Sequence, residues 1–435
     1  MQMRCGLFFA CLSATAFILS STVEAQTTVS LSGSQGQQRK NPNVGSGMGV
    51  VARGTTLSTR SLVRRARPTT GTVEMLRRTM TTRTLSRQPL TTEALARLRE
   101  ERANQRLVGG AESKALMSVA DLRALIAPTT APLSAEKFVT LVHSSNRRST
   151  VETCHCPAHP TGGIDREARV VQELESLYGR RPLIVDAGGF LRLPPNERSK
   201  LGARIILEAL AKMKVDAVNV GITDLAAGTQ FLRDMATSTS VTLLSANIFD
   251  KHGKPVFTPS RIVSLTLKDG KTAKVALIGV TRPLDATRRE FTPANDATVT
   301  TPAKTLKKLI PKLRKKADLV VLLAYYTRED VPQLVKELPP DARPDVVICG
   351  EFTAGQRQSY YLENADTPDG VWSVSGGFEG RQLGVALIEL GKKGKVQNVY
   401  PKLVVIEQTI PPDEAFTPFV KRFQAEQLEL LKKGI

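Results

Sequence analysis

The chain has 435 residues and a formal net charge of +20, with 41% apolar and 5% aromatic residues. That is enough apolar material for a sizeable core and too few rings for a clamp that stacks nucleobases. Five cysteines cannot supply a disulfide framework, and beyond the first 25 residues no segment approaches the ~20 apolar residues of a membrane-spanning helix.

Residues 1–25 have the layout of a secretory signal. Arg4 precedes an apolar stretch from Cys5 to Leu19, and Val23-Glu24-Ala25 puts small residues where a signal peptidase reads. The expected location is periplasmic or extracellular. Removing this leader takes Cys5 and Cys11 and leaves Cys154, Cys156 and Cys349.

Residues 26–130 carry 17 Lys and Arg against 6 Asp and Glu, whereas residues 131–435 carry 43 against 34. Up to about residue 90 the composition is Ser, Thr, Gly, Gln and Arg without an apolar period, which predicts a disordered basic tail. Its arginines, among them Arg60, Arg64, Arg65, Arg77 and Arg78, suit an anionic surface or polymer as partner; a solvated basic linker is the plainer reading. No aromatic interleaving marks a specific nucleic-acid motif. Two short helices are expected at the tail's end, one from Thr92 and one from Ser118. In the second, Ser118 and Asp121 resemble a capping box ahead of Leu122, Leu125 and Ile126, and Pro128 ends it.

Over 131–435 short apolar runs alternate with helical patterns. Strands are expected at Phe138–His143, Leu183–Val185, Ala217–Val220, Val241–Leu244, Ile262–Leu267, Val275–Val280, Leu319–Ala324, Val346–Cys349, Leu383–Leu390 and Val396–Val405. Helices are expected near Ile164–Tyr178, Asn196–Met213, Ala303–Lys315 and Asp413–Lys433. This alternation predicts one α/β domain. Lys307, Lys308, Lys312, Arg314, Lys315 and Lys316 read as a solvated outer helix face.

The turns after these strands carry recognisable boxes. The first strand runs into His143-Ser144-Ser145-Asn146-Arg147-Arg148, and Pro160-Thr161-Gly162-Gly163-Ile164-Asp165-Arg166 opens a helix. Asp186-Ala187-Gly188-Gly189 follows the second strand. Asp216-Ala217-Val218-Asn219-Val220-Gly221-Ile222-Thr223-Asp224-Leu225 spans the third, Leu323-Ala324-Tyr325 ends another, and Asp345-Val346-Val347-Ile348-Cys349-Gly350-Glu351-Phe352-Thr353 closes the set. Taken together, over roughly residues 136–410, these boxes resemble the N-terminal domain of calcineurin-like metallophosphoesterases of the secreted 5′-nucleotidase branch. The resemblance implies a four-layer sandwich: two packed mixed sheets flanked by helices.

It also implies where a two-metal centre would sit. The first metal-binding Asp falls on Asn146 and its His on Arg148. The bridging Asp falls on Gly189, the Asn-His pair on Ile222 and Thr223, and the remaining histidines on Tyr325, Glu351 and Thr353. Such a centre bridges two ions about 4 Å apart with a carboxylate and an attacking hydroxide. Gly189 and Ile222 have no donor, and Arg148 brings a cation where a dication belongs. The expectation is therefore a pseudoenzyme with no metal at this centre, serving as a binding or scaffolding module for a protein or anionic partner. The alternative is a residual metal-dependent phosphoester hydrolase, its ion held by oxygens of Asn146, Asp186, Asp224 and Glu351.

Two further sites suggest themselves. Arg147 and Arg148 at the mouth of the old centre would bind phosphate or sulfate without metal, unless they are solvated loop residues. Cys154, His155, Cys156 and His159 form a dense soft-ligand cluster suited to Zn or Cu, with Cys349 as a possible fifth member and His143 a weaker one. The same cysteines fit a strained disulfide or an ordinary surface loop.

Overall fold

In the computed structural model, residues 115–128, 137–154, 159–283, 296–351, 370–391 and 395–435 are described. The expected signal peptide, the basic tail to residue 114, the helix from Thr92, and His155, Cys156 and Thr353 lie outside the described residues.

Two mixed sheets form the centre. The first has the order β13-β12-β1-β2-β3-β4, built from β1 (Phe138–Ser144), β2 (Leu183–Asp186), β3 (Ala217–Asn219), β4 (Leu243–Leu244), β12 (Gln382–Leu390) and β13 (Val396–Val405). Strands β1 to β4 run parallel, while β12 is antiparallel to β1 and to β13. The second has the order β11-β10-β9-β7-β6, from β6 (Ser260–Thr266), β7 (Thr272–Thr281), β9 (Leu319–Tyr325), β10 (Val346–Cys349) and β11 (Trp372–Ser375). Here only the β6–β7 pairing is antiparallel. A two-stranded ribbon joins β5 (Ile248–Phe249) to β8 (Thr298–Val299).

Strands β1, β9 and β10 are buried at every position, as parallel strands covered on both faces must be. Alternate residues then serve two cores. Leu141, Val185, Val321 and Ile348 pack between the sheets. On the far side of the first sheet, Val142 and Ile184 meet α1 (Val119–Ile126), α2 (Ile164–Tyr178), α3 (Glu197–Lys212), α4 (Thr229–Thr239) and α7 (Thr417–Lys432). On the far side of the second, Val320 and Val347 meet α5 (Ala303–Arg314) and α6 (Val331–Lys336). This is the expected four-layer α/β sandwich.

Three details differ from expectation. Helix α1 belongs to the folded unit: Leu122 and Ile126 are fully buried against α2 and β13, so the domain starts before residue 131. Its start is the expected cap, with the Ser118 hydroxyl accepting from the Asp121 N–H at 3.1 Å. Second, α4, α6, β5, β8 and β11 are not among the expected elements, although Phe231, Leu232 and Met235 in α4 and Val331, Leu334 and Val335 in α6 recur at helical spacing. Helix α4 is rich in Thr and buries only Thr229, Leu232 and Thr239. Third, the strand expected at Val241–Leu244 is only Leu243–Leu244, and beyond it the Asn247 amide donates to the carbonyls of Thr281 (2.7 Å) and Thr300 (2.6 Å). No helix among the described residues is long and apolar enough to cross a membrane.

Candidate functional site

The parallel strands of both sheets end at the same edge, where ligands gather in open α/β sheets. Ser144, Asp186 and Asn219 finish strands of the first sheet, and Thr281, Tyr325 and Cys349 finish strands of the second. The turns beyond them interlock. Asn146 donates its N–H to Gly188 (2.7 Å), Arg148 to Gly189 (3.0 Å) and Ser149 to Phe190 (2.7 Å). Asn146, Arg148 and Ser149 all take positive φ, a backbone region costly for residues with a β-carbon.

Arg147 turns inward. Its side chain is 1% exposed, and its Nε donates to Asp186 at 2.9 Å. Its two terminal nitrogens grip both oxygens of Glu167 at 3.0 and 2.8 Å, and one also reaches the Ser144 hydroxyl at 2.9 Å. Ser144 donates to the same Asp186 oxygen at 2.7 Å, and the other oxygen accepts the Gly188 N–H at 2.9 Å. Burial opposes the charge on Arg147, yet Glu167 and Asp186 outweigh it and raise the guanidinium's pKa above its ordinary value. Burial likewise pushes the Glu167 carboxyl up while Arg147 pulls it down; a fork on both oxygens is the contact of an ionised pair. The expectation that Arg147 greets an outside anion is therefore corrected, because its donors are spent on internal acceptors. Arg148 also lies otherwise than expected, half-buried with its guanidinium over the Phe378 ring at 5.6 Å.

Tyr325 fills the space that a bridging carboxylate would need. A β-carbon on Gly189 would stand 2.6 Å from a Tyr325 ring carbon, and one on Gly221 would stand 2.8 Å from another. Both distances are below any real contact, so these two glycines form the seat of the ring. The Tyr325 hydroxyl accepts from Thr223 at 3.2 Å and lies 3.5 Å from the Asn146 amide oxygen. Burial raises its pKa far above the ordinary phenol range, so the ring is a neutral plug. Ile222 beside it is buried in the apolar core.

The remaining oxygens are held in separate networks. Asp224 accepts the N–H groups of Gly189 (2.8 Å), Gly221 (2.8 Å) and Leu191 (2.9 Å); burial pushes its carboxyl up to about 7 against the pull of these bonds. Glu351 is forked by Arg282 at 2.9 and 2.7 Å. A two-metal centre does not fit this donor set: a guanidinium occupies the acid that survives at Asp186, and a phenol ring occupies the place of the bridging one. The alternative set of Asn146, Asp186, Asp224 and Glu351 meets the same obstacle. Among the described residues no three His, Cys, Asp or Glu converge as a metal-binding group.

The cysteine cluster divides. Cys154 lies in the loop before α2, where its sulfur accepts the Thr161 N–H at 3.3 Å. Cys349 points into the opposite outer core, beside the Ser373 hydroxyl at 3.2 Å, and burial pushes its thiol up to about 11. The two outer layers are separated by both sheets, so Cys349 is not a partner of Cys154. His143 is fully buried over Gly384 with neither ring nitrogen hydrogen-bonded, and burial lowers it to about 3. His159 is exposed. Sequence reasoning missed Glu167, Ser144 and Arg282; the signal was an arginine just after a strand end, Arg147 after β1 and Arg282 after β7, each in need of an acid.

No protein-family model matches the sequence, and no curated protein matches it. Solved structures do match in shape. A 5′-nucleotidase precursor from Thermus thermophilus aligns with a TM-score of 0.56 and 19% identity, over 68% of this chain and 60% of that one. The calcineurin-like phosphoesterase YfkN from Bacillus subtilis aligns at 0.56 and 20%, over 68% and 99%. Sulfate thiohydrolase SoxB from Thermus thermophilus aligns at 0.54 and 16%, over 69% and 62%. The chain thus spans about 60% of the nucleotidase's length. It has the calcineurin-like metallophosphoesterase fold.

Proposed function

We propose that this protein uses the metallophosphoesterase fold as a metal-independent binding module and has given up two-metal phosphoester hydrolysis. The observation that carries the reading is the Arg147 guanidinium locked between Asp186 and Glu167. Where a hydrolase needs acids free to hold dications, one fixed internal cation already pairs with both. The ring of Tyr325 between Gly189 and Gly221 supports the same conclusion. An exported protein with an anionic or protein partner is the setting this reading assumes, and the expected leader and basic tail support it.

The test is elemental analysis of the full chain after dialysis against Mn²⁺, Zn²⁺ and Co²⁺. The reading expects no bound metal that depends on Asp186 or Asn146. Two equivalents per chain in the wild type, lost in Asp186→Asn and Asn146→Ala, would restore the hydrolase.

A lesser reading places Zn or Cu at Cys154, His155, Cys156 and His159. The Cys154 sulfur accepts the Thr161 N–H at 3.3 Å and faces the His159 carbonyl at 3.8 Å, which keeps Cys154 and His159 side by side in the loop. One soft-metal equivalent that disappears in Cys154→Ser with Cys156→Ser is the result this reading requires.

A further inference from the structure

Beside the closed centre lies a cleft of about 460 Å³, within the size range of small-molecule sites. It opens where the loop after β1, the turn leading into α3, the turn before β12 and helix α7 meet, and Arg192, Arg198 and Arg381 line it. We infer that this cleft binds a small organic oxyanion, a carboxylate or phosphomonoester on an apolar body. The inference rests on the metal-independent binding role proposed above and names its site.

The charge distribution carries the argument. Arg192 and Arg381 share one carboxylate, each reaching Glu379 at 3.0 Å, and the cleft's other carboxylate, Glu152, accepts from the Gln424 amide at 2.8 Å, so with Arg198 the lining sets three guanidiniums against two carboxylates. Arg381 also has a buried Nε without a hydrogen-bond acceptor. Arg198 has no acidic partner among the described residues; the amide of Gln427, turned oxygen-first, is what meets it. Guanidinium forks match oxyanions in geometry as well as charge. The apolar part of the wall, Leu193 and Phe423 among it, suits the body of the ligand. Glu379 then acts as a resident anion that holds two of the arginines in place and competes with the guest.

Calorimetric titration of the full chain with phenyl phosphate, benzoate and inorganic phosphate at low salt tests this. Binding of phenyl phosphate or benzoate, or both, is expected, each tighter than inorganic phosphate, and the two organic probes separate a phosphomonoester from a carboxylate preference. Arg198→Ala and Arg381→Ala should each weaken binding by about tenfold or more. Glu379→Gln should tighten it severalfold, a gain that misfolding cannot mimic. Lys307→Ala, on the exposed face of α5, should leave it unchanged. No heat with any probe, equal weakening by Lys307→Ala, or no gain in Glu379→Gln overturns the inference. Phosphate released from phenyl phosphate during the titration would instead sink the proposed function and leave this site standing.

Discussion

At position 325 a phenol ring, not an imidazole, reaches over Gly189 and Gly221, and the fit between ring and glycines is mutual. Restoring a carboxylate at Gly189 alone therefore drives a β-carbon into the ring and forces a side chain onto a φ of +78°. Gly189→Asp is expected to cost about 2–4 kcal/mol, read by urea denaturation, and Tyr325→Ala in the same chain should recover part of it. Arg147→Met should cost about 3–5 kcal/mol, because two buried acids lose their cation. Adding Glu167→Gln and Asp186→Asn removes those orphaned charges and should return most of the loss. His143 supplies a pH signature. Its folded pKa of about 3 lies below the ~6.5 of a free imidazole, so below that value the unfolded chain takes up a proton that the folded chain refuses. Stability from this group is thus full above pH ~6.5 and is lost towards pH 3, at up to ~1.4 kcal/mol per pH unit. Asp224, raised to about 7, acts in the opposite sense, losing its contribution as pH rises through that value. The informative quantity is therefore the difference between wild type and His143→Leu, which should favour the variant increasingly from pH 6.5 down to pH 4.5. A constant difference across that range contradicts the assignment.

At the scale of elements, α1 is capped by Ser118 and joins the fold through Leu122 and Ile126, through Arg123 to Glu173 and Ser176, and through Lys402 on the carbonyls of Ala124 and Ala127. Ser118→Ala should cost about 1 kcal/mol through the lost cap, and Leu122→Ala about 2–5 kcal/mol through the cavity it leaves. A chain beginning at residue 131 should fall below the stability of one beginning at residue 115 in the same denaturation assay. The helix itself is legible in the sequence because Ser118, Asp121 and Pro128 mark its ends locally; its docking is not, because the partner surface on α2 and β13 lies far along the chain. The same contrast runs through the site. Strands such as Val346–Cys349 and helices such as Ile164–Tyr178 are fixed by runs and periods readable within a window. The degenerate boxes are likewise visible one residue at a time. What fills them is set by contacts across the fold: Arg147 meets Glu167 20 residues on, and Arg282 meets Glu351 69 residues on. A loop arginine and a core arginine look alike in sequence until the acid that claims it is placed.

At the scale of the molecule, two sheets deliver the turns after their parallel strands to one edge, the arrangement that positions metal ligands in a phosphoesterase. Here the same edge is closed from within by a guanidinium, a phenol and a set of backbone-bound carboxylates. Next to α3, the arginine-lined cleft leaves about 460 Å³ open. The most direct test is release of inorganic phosphate by the purified full chain, supplied with Mn²⁺, Zn²⁺ or Co²⁺, from nucleoside monophosphates and a generic aryl phosphate. The account predicts no turnover above the protein-free blank with any metal. Turnover that is metal-dependent and abolished by Asp186→Asn would contradict it.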